Sequence, residues 1–399
     1  MAKMGTAGNT GEKTRSDCLV RVRPATSGGI TVRLDSRVDT LYGRSIRELA
    51  VSALAHFGMA RANVEIHDSG ALEFVLAARL EAAIKQVINS DSSFLPQQRV
   101  KLPARGQPDR FRFTRLYLPG NTPSMMLNAG LHGPCGIILD LEDAVAPTKK
   151  QEARYLVRNA LLSVDFYGAE RMVRINQLPE GLIDLDQIMP ATPDLLLIPK
   201  VESPGVIHSV NEHINKLNGD NDGVFLMPII ESALGVEHAF EIAGSAKNIV
   251  AMAIGLEDYT ADLGVSRTLS GKESLYARTR LVNACKAAGI QPIDSVYSDV
   301  GNEEGLRETA SISRSLGFEG MGCIHPRQIP VVHDVFRPGE GEIDRAKNIV
   351  RAYEKAEKEG LGVVSLGTKM IDPPVVKRAL HTIDLATAMK LLPENWRDE

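Results

Sequence analysis

The chain lacks any apolar segment of the roughly 20 residues that a membrane-spanning helix requires. Its longest apolar runs, residues 224–230 and 249–256, have the length of buried strands. It also lacks an excess of positive charge, because 46 Lys and Arg face 50 Asp and Glu, for a formal net charge of −4. We therefore expect neither a membrane partner nor the broad basic surface that nucleic-acid binding uses.

Cysteine is scarce, with four in 399 residues, far apart and without a Cys-x-x-Cys pair. This pattern favours reduced thiols over a disulfide framework or a zinc site. No apolar segment follows Lys3 and Lys13, so a secretory signal is not expected. Both observations predict a cytoplasmic protein.

The length suits at least two domains. Residues 1–88 have the pattern of a small α+β domain, in which 1–13 are expected to be mobile. Strands 18–23 and 30–34 are expected to form a hairpin with the first at an edge, and helices are expected at 45–57 and 71–87. Residues 89–110 are polar and contain proline, as a linker would. We assign 111–335 to a second domain and 336–399 to a C-terminal helical segment that acts as a lid or in oligomerisation.

Short apolar runs, each followed by a turn and usually a helical stretch, recur from residue 111 onward. The eight runs are 116–118, 136–141, 172–175, 195–198, 224–230, 249–254, 290–296 and 320–324. Eight such repeats predict a (β/α)8 TIM barrel. An open doubly wound sheet is the alternative, and the number of repeats favours the barrel.

Polar residues follow these runs at the point where each run ends. They include Asp140, Glu142, Arg174, Asn176, Lys200, Glu202, Glu231, Glu257, Asp258, Asp294 and His325. A barrel brings the carboxyl ends of its strands to one face, where barrel enzymes have their active sites. The sequence therefore predicts an active site at this face.

Glu231 and Asp258 follow runs that a barrel would place side by side. Two carboxylates without a nearby His or Cys suit Mg²⁺, which keeps several water or substrate oxygens. The alternative is that both carboxylates cap helices. Arg174 could hold a substrate carboxylate through both arms of its guanidinium, or could pair with Asp140 or Glu142.

Lys200 has two interpretations. It could pair with Glu202 at the rim of the barrel, or it could be a Schiff-base lysine of the kind that some aldolases use. A Mg²⁺ ion beside an arginine stabilises an enolate or a 2-keto acid. The residues alone thus indicate a Mg²⁺-dependent enzyme that forms an enolate.

Seven motifs in order resemble the citrate lyase β subunit family, within the HpcH/HpaI aldolase superfamily. They are LYLPGN from 116, GIILDLEDAV from 136, VRIN from 173, IPKVE from 198, IIESA from 229, GLED from 255 and CIHP from 323. The resemblance covers roughly residues 111–392.

The resemblance implies Mg²⁺ held by Glu231 and Asp258, with Arg174 near the keto-acid carbonyl. It also implies that Asp372, from a neighbouring subunit, is an acid/base, although the Asp-Pro sequence also suits a helix start. Glu142 is expected to act through Arg174 or metal-bound water. Candidate residues for binding the substrate or its thioester end are Arg112, Arg115, Asp140, Asn176, Lys200 and His325.

The first 88 residues resemble the citrate lyase γ subunit, an acyl carrier protein. The motifs are SDCLVRV from 16, YGRSIR from 42, and DSGAL from 68 with ARLEA from 78. That family carries a phosphoribosyl-dephospho-CoA group on a serine upstream of the aspartate that Asp17 matches. The match is imperfect: Ser16 is the first candidate for attachment and Thr14 the second, and an unmodified domain is the alternative.

Together the two resemblances imply retro-Claisen cleavage of a citryl thioester, as citryl-ACP or citryl-CoA, to oxaloacetate and an acetyl thioester. The alternatives are a citramalyl- or malyl-thioester lyase and a non-catalytic carrier or scaffold subunit. The family suggests a homo-oligomer, a trimer or hexamer. A citrate-cleaving system also needs an α-like transferase subunit as a partner.

Overall fold

A computed structural model describes residues 3–97, 100, 106–218, 223–358, 364–366 and 369–398. The chain forms two compact units, Met1–Ile329 and Pro330–Glu399. The division falls a few residues before the boundary expected at 335. Residues 98–99 and 101–105 of the predicted linker lie outside the described residues.

The N-terminal domain is a four-stranded sheet covered by two helices. Its elements are β1 (Gly5–Gly8), β2 (Cys18–Pro24), β3 (Ile30–Ser36), α1 (Asp39–His56), β4 (Ala62–Asp68) and α2 (Glu73–Lys85). The two predicted helices and the two predicted strands are all present, as α1, α2, β2 and β3, so local pattern identified most of these elements.

The order of the strands in this sheet differs from the prediction. The order is β1-β2-β4-β3, with β4 antiparallel to β2 and parallel to β3. The predicted hairpin of β2 and β3 is therefore wrong, because β4 lies between them. The predicted edge position of β2 is also wrong, because β1, in the segment expected to be mobile, pairs along it.

The barrel consists of eight parallel strands, as predicted. They are β5 (Thr114–Pro119), β6 (Gly136–Asp140), β7 (Glu170–Arg174), β8 (Leu195–Ile198), β9 (Phe225–Ile230), β10 (Ala251–Ile254), β11 (Gln291–Ile293) and β12 (Met321–Cys323). Neighbours in sequence are neighbours in space, and β12 pairs with β5. A bridge between Asp294 and Met321 joins β11 to β12 and brings the sheet to closure.

Helices follow most of the strands. They are α3 (Pro123–Met126), α4 (Lys150–Ser163), α5 (Glu180–Ile188), α6 (Pro204–Asn218), α7 (Ala233–Glu237), α8 (Ala239–Ala243), α9 (Leu256–Asp262), α10 (Leu275–Ala288), α11 (Glu303–Leu316) and α12 (Gln328–Phe336). The strands are buried on both faces, which explains their continuous apolar runs. The barrel core includes Ile138, Met172, Leu197 and Met227.

The N-terminal domain packs directly on helix α4 of the barrel through buried charges. Arg79 in α2 is fully buried and donates to both carboxylate oxygens of Asp17, at 3.0 and 3.1 Å. Its Nη1 lies 3.4 Å from Glu152 Oε1, and its Nη2 donates to the backbone oxygen of Asn121 at 3.2 Å. One guanidinium thus joins the N-terminal sheet, helix α4 and the loop after β5.

A second buried pair lies further along the same two helices. Arg158 in α4 donates to Glu81 in α2 at 2.6 Å, and both side chains are almost fully buried. Asn159 donates to the backbone oxygen of Phe74 at 3.1 Å. Because buried charges cost free energy unless they are paired, these contacts hold the N-terminal domain against the barrel in one orientation.

The C-terminal unit has its own core. Its elements after α12 are α13 (Glu340–Lys358), β13 (Val364–Leu366), β14 (Lys369–Ile371) and α14 (Pro373–Ala388). Val350, Ile371, Ile383 and Trp396 lie in its core cluster. The predicted helical character is present, whereas the roles as a lid and in oligomerisation stay predictions.

Among the described residues, no helix is long and apolar enough to cross a membrane. The four cysteines are free thiols, three of them buried and Cys135 half-buried. The cytoplasmic location stays a prediction.

Replacing Arg79 with alanine should destabilise the protein by about 3–5 kcal/mol, because the buried Asp17 and Glu152 carboxylates would lose a cation. Urea denaturation should show this loss, with the N-terminal domain unfolding before the barrel. Arg33→Ala is the control, since the Arg33 side chain is 83% exposed and lies 3.8 Å from Glu65. An unchanged midpoint in Arg79→Ala would show that these charges do not hold the domain.

Candidate active site

A cavity of about 410 Å³ opens at the carboxyl ends of the barrel strands. Its lining includes Arg115, Tyr117, Asp140, Asp143, Arg174, Ile229, Glu231, Ala253, Gly255, Glu257, Asp258, Asp294, Ser295 and Gly322. Most of the strands contribute to it, as expected when parallel strands close into a barrel. The site therefore depends on closure of the sheet and on no single segment.

Asp140 and Arg174 form the most extensively bonded pair in the cavity. Arg174 Nε and Nη2 each donate to one oxygen of Asp140 at 2.7 Å. The same carboxylate accepts from the backbone N–H groups of Glu142 and Ala144. Asp140 therefore occupies one arm of the guanidinium, and the predicted two-armed grip of Arg174 on a substrate carboxylate is not available.

The remaining arm of Arg174 faces Glu142. Arg174 Nη1 lies 2.6 Å from Glu142 Oε2, although the pair lacks the alignment of a hydrogen bond. Burial raises the pKa of Glu142 to about 7, despite the opposing effect of Arg174. Arg174 remains cationic, because the hydrogen bonds and charge of Asp140 outweigh burial and raise its pKa. Arg174 is thus a fixed cation, whose Nη1 also donates to Asp143 at 3.5 Å.

Glu231 follows the last residue of β9 and lines the same cavity as Arg174. One of its oxygens accepts from the backbone N–H of Lys200 at 2.8 Å. Burial, followed by the nearby carboxylates of Glu142 and Asp258, raises the pKa of Glu231 to about 8. Several acidic groups therefore share a space that holds too few cations for all of them to ionise easily.

Gly255 lets β10 approach Glu231. A Cβ built at this position would overlap the carboxylate of Glu231 and would lie 2.8 Å from its Cβ. The backbone of Gly255 also donates to the oxygen of Ile230 at 2.9 Å. The GLED motif that begins at this glycine thus places Asp258 in the same cavity as Glu231.

These carboxylates fit a hard divalent cation. Mg²⁺ is often bound by one or two protein carboxylates and completes its shell with water or substrate oxygens. Glu231 and Asp258 offer such a pair, and a cation there would offset the burial and the repulsion that together raise the pKa of Glu231. Among the described residues no group of three or more His, Cys, Asp or Glu side chains has the arrangement of a metal site, so the pair would need ligands from outside the chain.

Lys200 pairs across the cavity with Glu142, at 3.8 Å, and not with Glu202 as one interpretation of the sequence predicted. Burial alone would lower its pKa, but the carboxylates of Glu142 and Asp258 reverse this effect and raise it. A Schiff-base lysine needs a neutral amine and hence a lowered pKa. The environment therefore does not suit Lys200 for that chemistry.

The structure places four of the predicted binding residues outside the cavity lining, Lys200 and the three described next. Arg112 is fully buried and donates to both oxygens of Glu170, at 2.7 and 2.8 Å. Asn176 donates twice to Asp184. The Nδ1 of His325 accepts from its own loop. Arg112 and Asn176 therefore hold the fold in place, and we assign them no contact with a substrate.

Tyr117 is a residue of the cavity that the sequence interpretation did not select. Its ring centre lies 5.5 Å from the guanidinium carbon of Arg174, which is a cation–π contact. Burial raises the pKa of its hydroxyl. The sequence pattern predicts that an aromatic residue within an apolar strand belongs to the hydrophobic core. Nothing in the neighbouring residues shows that Tyr117 instead lines a cavity.

Ser16, the candidate attachment point, lies beside this face of the barrel. Its backbone has a φ of 54° and its N–H donates to the oxygen of Ser69 at 3.0 Å. The next residue, Asp17, is held by Arg79, which also contacts Asn121 in the loop after β5. The half-buried Ser16 therefore precedes a residue that is linked, through Arg79, to the loop after β5.

Comparison with known proteins bears on both parts of the chain. Residues 114–326 match the family model of the HpcH/HpaI aldolases and citrate lyases. The chain belongs to this family. Residues 5–87 match the acyl carrier model described as the malonate decarboxylase delta subunit. Both predicted resemblances are thus confirmed, and the chain is a lyase-family barrel with an N-terminal domain of the carrier type.

The family members that resemble the chain include lyases of different substrates. It is 40% identical to the citrate lyase subunit beta of Leuconostoc mesenteroides subsp. cremoris, covering 71% of this chain and 96% of the relative. It is 33% identical to the mitochondrial citramalyl-CoA lyase of Mus musculus, covering 69% and 86%. The chain is accordingly a carbon–carbon lyase of this family.

A solved structure of similar fold carries ligands. This is the CitE protein of Mycobacterium tuberculosis in complex with magnesium, acetoacetate and coenzyme A. The identity is 28% and the TM-score is 0.58, covering 69% of this chain and 98% of that one. A structural relative of the barrel therefore binds magnesium.

Gly255→Ala should lower the free energy of unfolding by about 1–3 kcal/mol, because the added methyl group would displace Glu231 or strand β10. Thermal denaturation would measure the effect. Gly29→Ala is the matched control, since a Cβ at Gly29 meets nothing within 4 Å. Equal stability of the two variants would contradict the close approach of Gly255 to Glu231.

Proposed function

We propose that this chain is a Mg²⁺-dependent lyase that cleaves a citryl thioester, carried by its own N-terminal domain, to oxaloacetate and an acetyl thioester. The observation that carries the proposal is the presence of both parts in one compact unit. A carrier-type domain is fixed by Arg79 beside a barrel mouth whose carboxylates suit a divalent cation. The similarity to citrate lyase β subunits agrees with this substrate class.

In the proposed reaction the tertiary hydroxyl of the citryl group becomes the keto group of oxaloacetate. Its proton goes to Asp372 of a neighbouring subunit, and the electron pair of the broken C–C bond goes to the thioester enolate. The enolate carbon then takes the proton back from Asp372. Glu231 and Asp258 would hold Mg²⁺, which supplies positive charge for the oxygens of the forming keto acid.

Arg174 has a defined part in this scheme. Asp140 holds one arm of its guanidinium, so the other arm is fixed in direction and donates to the oxygen that becomes the carbonyl. In the free protein the same arm faces Glu142, whose Oε2 lies 2.6 Å from Nη1. The substrate oxygen would compete with Glu142 for this nitrogen. The pair Asp140–Arg174 thus orients a donor before the substrate arrives.

Asp372 begins α14, and its side chain accepts from the backbone N–H of Val375 at 3.1 Å. This is the N-cap role expected from the Asp-Pro sequence. The catalytic role proposed for Asp372 requires at least a dimer, and we propose a trimer or hexamer as in the family.

We further propose that Ser16 carries the thioester through a phosphoribosyl-dephospho-CoA group. Because the N-terminal domain is fixed against α4, the prosthetic arm would move and the domain would stay in place. A separate transferase subunit would then have to reach Ser16 on the docked domain. Intact-mass measurement of the purified native protein, followed by peptide mapping, would locate or exclude this group.

The test of function is to incubate the protein with citryl-CoA, citramalyl-CoA and malyl-CoA, with Mg²⁺ and with EDTA, and to identify the keto acid. Mg²⁺-dependent oxaloacetate from citryl-CoA is the expected result. Pyruvate from citramalyl-CoA is the second candidate, which the 33% identity to a citramalyl-CoA lyase supports. No cleavage of free thioesters or of the modified carrier would favour a scaffold subunit.

Glu231→Gln and Asp258→Asn should each abolish Mg²⁺-dependent cleavage and the rise in melting temperature that Mg²⁺ produces. Each change keeps the size of the side chain and removes the charge that holds the ion. Glu48→Gln is the control, because Glu48 lies outside the cavity, is paired with Arg44 on α1 and has a side chain that is 63% exposed. Full activity of either carboxylate variant would refute the metal assignment.

Arg174→Lys should lower kcat by about 100-fold, which corresponds to the loss of one well-placed donor. A lysine has the charge but cannot hold Asp140 with one arm and a substrate oxygen with the other. Steady-state kinetics with the preferred thioester would measure the effect. A kcat within threefold of the wild type would show that charge alone suffices.

A further inference from the structure

Arg115 is a buried arginine inside the barrel that has no carboxylate partner among the described residues. It is 1% exposed, and its Nε has no hydrogen-bond partner. Its Nη1 contacts the Sδ of Met227 at 3.1 Å, and its Nη2 lies 3.5 Å from the backbone oxygen of Asp294. Sulfur is a weak acceptor and the second contact is long, so the cation is poorly compensated.

The acidic residues near Arg115 are already paired with other cations. Glu170 accepts from Nε and Nη2 of Arg112, and Asp294 is held by Arg278 at 2.5 Å. Burial lowers the pKa of Arg115, and neither of these carboxylates reverses the effect. Buried charges in proteins are normally paired, so an arginine left in this state indicates a partner that arrives from outside the chain.

The cavity of the active site extends to Arg115. Arg115 lines it together with Ile229, Ala253 and Gly322, which lie deeper in the barrel than Glu231 and Asp258. Residue 115 pairs with Gly322 in the neighbouring strand, where an added Cβ would lie 2.6 Å from Val296 and 3.1 Å from the ring of Tyr117. One cavity therefore has carboxylates at its mouth and Arg115 at its floor.

We propose that Arg115 binds the second carboxylate of a dicarboxylic 2-keto acid, and of the acyl group from which it is released. This proposal rests on the proposed function for the identity of the ligand. A citryl group differs from citramalyl and malyl groups by a carboxymethyl substituent where they have a methyl group or hydrogen. Arg115 would recognise that substituent with the parallel hydrogen bonds that a guanidinium gives a carboxylate, and so select the citryl class.

The test compares the binding of oxaloacetate and pyruvate by titration calorimetry, with Mg²⁺ present. Wild-type protein should bind fresh oxaloacetate roughly 10- to 100-fold more tightly than pyruvate, the range that hydrogen bonds to a charged group provide. Arg115→Met should bring the two affinities close together while pyruvate binding is kept. Arg115→Lys should give an intermediate ratio.

Thermal denaturation without ligand gives an independent readout. Arg115→Met should raise the melting temperature, because it removes an unpaired buried charge from a site that already contains methionine. Arg112→Met should lower it, because Glu170 would lose its partner. If Arg115→Met lowered the melting temperature as much as Arg112→Met does, Arg115 would be a structural residue and the proposal would be overturned.

Equal affinity of the wild type for the two keto acids, or an unchanged ratio in Arg115→Met, would also overturn it. These measurements need no thioester cleavage. Failure of the proposed function would appear as the absence of cleavage by wild-type protein, whatever the binding ratio. The two failures can therefore be told apart.

Discussion

The charges at the mouth of the barrel are buried where little water remains to screen them. Glu142 faces one arm of Arg174, whose other arm is already held by Asp140. The carboxylates of Glu142 and Asp258 in turn act on Glu231. This excess of negative charge is costly to the folded protein unless a cation joins it. Three neighbouring features accommodate these carboxylates. Gly255 leaves room for Glu231, Asp140 sets the direction of Arg174, and Lys200 lies 3.8 Å from Glu142.

The opposite imbalance occurs at the floor of the same cavity, where Arg115 lacks a carboxylate. A ligand that brings oxygens for a metal at one end and a carboxylate at the other would satisfy both ends together. A dicarboxylic keto acid has this distribution of charge. The cavity is thus electrostatically complementary to such a ligand along its length, which is how binding sites acquire specificity as well as affinity.

Docking of the N-terminal domain joins two family domains into one compact unit. The position of the domain does not depend on the predicted linker, because Arg79 and Arg158 hold the domain against α4 through buried ion pairs. Such pairs add little net stability compared with apolar contacts, but they define one orientation. The orientation places Ser16 near the loop after β5, on the side where the cavity opens.

The sequence by itself determined the eight barrel strands, the face on which the polar residues meet, and the family. The reason is that the repeat of apolar runs and the order of the motifs can be read directly along the chain. It could not determine that β4 separates β2 from β3, since strand order in a sheet depends on contacts between distant segments. It also could not distinguish Arg112, which is paired with Glu170, from Arg115, which is not. Only the closed barrel decides which charges find partners, because the partners of Arg112, Arg79 and Arg174 come from strands and helices far away in the chain.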